Sequence, residues 1–141
     1  MATINATINV SSDIMSYPVS ISKSMTMTKA ATCTGLEETT GLNSKKFNST
    51  DAVEIIGNAE GTAAKANKVY IRNTGSDKAQ YFYVALNNSA AAAATTETIG
   101  KLYGGDWMLI PWIATAATTH DICVAPSTTD TMTIEWMVFQ E

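Results

Sequence analysis

His120, Asp121 and Cys123 are the residues of this 141-residue chain whose types and spacing come nearest to a reactive centre. Imidazole, carboxylate and thiolate are zinc ligands, and a zinc site needs three or four of them converging on one point. The chain has one histidine, and its other cysteine, Cys33, stands far upstream. "HDICVAP" (120–126) reads as a strand, in which successive side chains point to opposite faces, so His120 and Asp121 diverge and cannot chelate from one side. His120 could be the base of a Ser-His-Asp triad, but no G-x-S-x-G elbow exposes a nucleophile. Glu37 and Glu38 are adjacent acids in a polar stretch, with no apolar surroundings to raise a carboxyl pKa. Neither GxxxxGK[ST] nor GxGxxG occurs to cradle a phosphate. Cys33 and Cys123 form no CxxC and read as two small reduced residues, a disulfide between them being the alternative. The expectation is a protein that is not an enzyme, with no catalytic residue, no cofactor and no bound metal.

A second concentration of chemistry is aromatic. "GKLYGGDWMLIPW" (100–112) holds Tyr103, Trp107 and Trp112 around a Gly-Gly-Asp turn. Large aromatic side chains serve both interiors and interface hot spots, so these three are candidates for a binding surface, with core packing as the competing role.

The elements that would position them read as strands. Ile4, Ala6, Ile8 and Val10 alternate with polar neighbours, and the alternation returns with Tyr17, Val19 and Ile21, then Met25 and Met27. Lys23 interrupts that apolar face, and Pro18 suggests an edge. Residues 29–50 lose periodicity and read as a long loop, a feature that is functional or ordered by a partner in most proteins. A short strand follows at Ala52 to Ile56, then "NKVYIRN" and "AQYFYVALN", joined by "NTGSDK" as a hairpin. The run of alanines after Asn88 is too short for a stable helix and reads as a loop tip or single turn. "ETIGKLY" and "WMLIPW" read as strands aligned by Gly104 and Gly105, both expected at positive φ. "HDICVAP" and "MTIEWMVFQE" complete eight or nine strands with no amphipathic helix. The pattern predicts an all-β chain, an antiparallel β-sandwich or jelly roll forming one domain over 1–141; an up-and-down barrel is the alternative.

Composition narrows the function classes. Charged residues make up 16% of the chain, and the polar surface is Thr, Ser, Asn and Ala instead. A net charge of −4, with Arg72 the sole arginine, disfavours a nucleic-acid partner. No apolar run reaches the length of a membrane span, and the amino terminus lacks the basic and apolar regions of a secretory signal.

The stretches "KVYIRNTGSDKAQYFYVALN", "IGKLYGGDWMLIPW" and "TMTIEWMVFQE" together resemble the small virion structural proteins of tailed bacteriophages, of the cyanophage and marine type, over roughly residues 67–141. "GDWMLIP" also resembles a strand-turn-strand lip of cupin jelly rolls, but the histidines that cupin enzymes use are missing. The phage resemblance implies a capsid decoration (cement) protein, located in the virion after synthesis in the host cytoplasm. Its partners would be further copies of itself, a trimer being favoured, and the major capsid protein or other virion subunits. Residues 1–28 and the 29–50 loop are the candidate assembly arms. A tail or fibre subunit, a host-surface carbohydrate-binding module, and a lectin-like or cupin-like cellular protein are the alternatives.

Overall fold

The computed structural model describes residues 4–12, 19–27, 38–61, 66–86, 98–114 and 120–140. Pro18, Cys33, Glu37 and the alanine run lie outside the described residues. Eleven strands occur among them: β1 (Ile4–Ser12), β2 (Val19–Met27), β3 (Glu38–Thr39), β4 (Asn43–Phe47), β5 (Val53–Ile56), β6 (Asn67–Asn73), β7 (Tyr81–Leu86), β8 (Thr98–Tyr103), β9 (Trp107–Trp112), β10 (Ile122–Pro126) and β11 (Met132–Gln140). A single turn of 3-10 helix, Asn58–Glu60, interrupts them.

β4 to β11 form two antiparallel sheets, ordered β5-β10-β7-β8 and β4-β11-β6-β9. Counted from β4, the first of these eight pairs with the last, the second with the seventh, the third with the sixth and the fourth with the fifth. That nesting is a long hairpin rolled over on itself, the jelly roll. β3 extends the β4 edge: β4 pairs with Met132 to Trp136 of β11, and β3 with Phe139 and Gln140. Thr40 carries the ladder across the gap, its amide donating to the Val138 carbonyl and its hydroxyl accepting from the Val138 amide.

Period-two patterning decides what fills the space between the sheets. One sheet contributes Phe82, Val84, Ile122 and Val124; the other contributes Val69, Ile71, Ile134 and Val138, all almost wholly buried. Phe47 of β4 meets Phe82 of β7 edge to face across the layers, with ring centroids 5.4 Å apart. This is the geometry that the aromatic quadrupole favours.

Four expectations from the sequence are corrected. The turns 74–80 and 104–106 do not close hairpins. β6 and β9 belong to one sheet and β7 and β8 to the other, so both turns are arches between layers. A Gly-rich turn reverses the chain equally well in either arrangement; long-range pairing chooses between them. Gly105 alone of its pair has positive φ, at 88°. Gly104 is required for space instead, because a Cβ there would lie 2.4 Å from the Asp77 carbonyl oxygen. The 29–50 segment contains β4, whose "NSKKF" buries only Phe47 and presents exposed lysines along an edge strand. Finally, His120 and Asp121 precede β10 and are not part of it.

Candidate functional site

β1 and β2 pair with each other over their whole length and with no other strand among the described residues. Cross-strand neighbours divide the ribbon into two faces. One is polar, with Ser22 bonded to Asn9 and Thr26 to Asn5, each at 2.6 Å. The other carries Ile8, Val10, Ile21 and Met25, between 39% and 47% exposed. Lys23 sits on that face opposite Ile8 with no break in register. The half-buried strand predicted from alternation is thus an amphipathic arm whose apolar side no part of the described body covers.

The three aromatic candidates separate. Trp112 points into the sandwich at 6% exposure, and its indole Nε1 donates to the His120 carbonyl at 2.7 Å. Tyr103 and Trp107 are exposed on opposite faces of the molecule, because the arch between β8 and β9 changes sheets.

On the outer face of the four-stranded sheet, Tyr103 joins Tyr81, Tyr83 and Lys101. The Tyr81 ring lies 5.0 Å from both the Tyr83 and the Tyr103 rings, with Lys101 Nζ 4.4 Å from its centroid. The Tyr81 and Tyr83 hydroxyl oxygens are 3.1 Å apart. That bond lowers the Tyr81 phenol pKa and raises that of Tyr83. Interplanar angles of 85° and 57° leave no flat platform, and the polar tips engage each other. The cluster is a self-contained cross-strand packing unit.

Trp107 belongs to a different arrangement. A cleft of about 590 Å³ lies where β1 passes the outer face of the five-stranded sheet. Tyr70 and Arg72 of β6 and Trp107 and Leu109 of β9 line the sheet side, and Asn5 and Thr7 line the arm side. Register sets Arg72 directly opposite Trp107, and Tyr70 opposite Leu109. The Tyr70 and Trp107 rings are 6.4 Å apart and tilted by 36°. Alternation along β9 sets Trp107 and Leu109 on a common face. Nothing local in the sequence joins Tyr70 and Arg72 to them, because the pairing of β6 with β9 is long-range.

Chemical groups elsewhere are few. Among the described residues, no three of His, Cys, Asp and Glu are disposed to hold a metal ion. Cys123 is buried, and loss of solvation pushes its thiol up to about 11, with Glu54 and Asp121 adding to the effect. A thiol so placed is a poor nucleophile at neutral pH. No helix among the described residues is long and apolar enough to cross a membrane.

No protein-family profile and no curated protein sequence matches the chain.

Proposed function

We propose that this protein is a structural subunit of a bacteriophage virion, in the first instance a capsid decoration (cement) protein that is not an enzyme and requires no cofactor. One observation carries the reading: a jelly-roll body bears an amphipathic two-stranded arm with Ile8, Val10, Ile21 and Met25 left uncovered by the described residues. Jelly rolls recur in viral capsid proteins, in lectins and in cupins, so the body alone does not choose among them. The arm chooses. A monomeric protein gains nothing from a ribbon with one apolar face in water, whereas a subunit of a repeating shell acquires a contact to a neighbour at every copy. The weakly charged surface supports the same reading, since repeated copies pack without strong like-charge repulsion. The resemblance of residues 67–141 to small phage structural proteins points the same way.

The test is addition of recombinant protein to capsids that lack it. Binding is expected to saturate in symmetric numbers, and deletion of residues 1–28 is expected to abolish it while circular dichroism still reports a folded sheet. Full-length protein that ignores bare capsids and attaches to tails would move the assignment to a tail or fibre subunit.

A further inference from the structure

We propose that the cleft between β1 and the outer face of the five-stranded sheet is a binding site for an acidic saccharide, a pyranose chain carrying carboxylates. The inference stands apart from the assembly role: a shell subunit can carry the site or lack it.

Three features define the ligand. The first is the cleft itself. At about 590 Å³ it falls within the size range of small-molecule sites, and it combines apolar walls with a few polar groups as such sites do. The second is the pair of rings. Trp107 is 47% exposed, and Tyr70 lies beside it at a modest tilt of 36°. This differs from the near-perpendicular packing of Tyr81 on Tyr83, and it leaves two aromatic surfaces facing one space. The apolar C–H face of a pyranose is complementary to such surfaces, while Asn5 and Thr7 offer amide and hydroxyl partners for the ring substituents.

The third feature is Arg72, the sole arginine in the chain. Its side chain is exposed, lines the cleft, and makes no hydrogen bond or ion pair among the described residues. Glu135 stands opposite it on β11 without forming an ion pair, and Trp107 stands opposite on β9. Lys46 shares this outer face by register, so with Arg72 the cations outnumber Glu135 here although the whole chain carries −4. A planar guanidinium in that setting suits a carboxylate, which it can hold through two parallel N–H···O bonds. An acidic peptide offers the same charge. A peptide would pair along the open edge of β9, the last strand of its sheet, whereas the cleft opens on the sheet face, where recognition falls to side chains and Trp107 and Tyr70 present ring surfaces.

The experiment is calorimetric titration of the full-length chain at physiological ionic strength with oligogalacturonate and oligomannuronate, alongside a neutral maltooligosaccharide and poly-glutamate. Saturable binding of at least one uronate is expected, with the neutral sugar and poly-glutamate at least tenfold weaker. Arg72→Gln and Trp107→Ala should each weaken uronate binding at least tenfold. Arg72→Lys should fall between wild type and Arg72→Gln, and Tyr103→Ala on the opposite face should bind as wild type. Near-UV circular dichroism checks that each variant keeps its packing. No saturable uronate binding, or binding indifferent to both Arg72→Gln and Trp107→Ala, overturns the proposal. Equal affinity for the neutral sugar removes the acidic class, and equal affinity for poly-glutamate makes the cleft a peptide site; either result also overturns it.

Discussion

Asn73 holds four neighbours at one end of the sandwich. Its side-chain amide donates to the Leu102 carbonyl at 3.0 Å, and its Oδ1 accepts from the Gly75 amide at 3.0 Å. Its backbone N–H donates to Asp106 and its carbonyl accepts from Gly105. A residue at 1% exposure with its polar groups so engaged ties the arch after β6 to the arch after β8. The two glycines of the second arch depend on this geometry in different ways. Gly105 needs its positive φ, which costs another residue about 1–2 kcal/mol. Gly104 abuts the Asp77 backbone, which cannot move aside as a flexible side chain would. Gly104→Ala is therefore expected to destabilise more than Gly105→Ala, by roughly 2–4 kcal/mol against about 1–2. Thermal unfolding of the two single variants reads the order directly. A larger loss for Gly105→Ala would mean that Gly104 and the Asp77 backbone are not in the contact described.

At the scale of elements, strands were legible and their partners were not. The alternation in "YFYVAL" and "MTIEWMV" carries its own face assignment, because burial on one side imposes period two whatever the neighbour. Nothing local tells Gly104 and Gly105 whether β9 returns beside β8 or crosses to the other sheet. β4 was missed because "NSKKF" is an edge strand with one buried residue, and its lysines look like loop. The arm shows the reverse error: alternation was present, but an apolar face does not announce whether its cover lies in the same chain. Of the candidate site, Trp107 was visible as an aromatic beside a turn, while Tyr70 and Arg72 join it only through pairing across the sheet. A prediction follows for the arm. Because β1 and β2 add no strand to either sheet of the body, removing residues 1–28 should leave the jelly roll folded, with a midpoint within a few degrees of wild type. A loss above about ten degrees would mean that the arm supports the body it was taken to overhang.

For the whole molecule, the question is how much association the arm can drive. Ile8, Val10, Ile21 and Met25 are each nearly half exposed, and completing the burial of one such side chain contributes about 1 kcal/mol, half the usual value for full burial. One arm therefore offers roughly 4 kcal/mol. Bringing two proteins together costs an estimated 4–15 kcal/mol, so a single arm contact does not hold a pair in dilute solution. A closed trimer gains three arm contacts for two associations, which is marginal. On a shell, anchorage by the body makes each arm contact effectively intramolecular, and the same few side chains then suffice. The expected behaviour is a weak trimer that dissociates on dilution, measured by sedimentation over a wide concentration range. Because the driving surface is apolar, moderate salt should not dissolve it, and sulfate should strengthen it. Placing charge on the apolar face with Ile8→Lys and Ile21→Lys should leave a folded monomer at every concentration. A tight trimer that persists in that double variant would assign the subunit contact to the body, and the exposed face of the arm would then belong to a partner of a different kind.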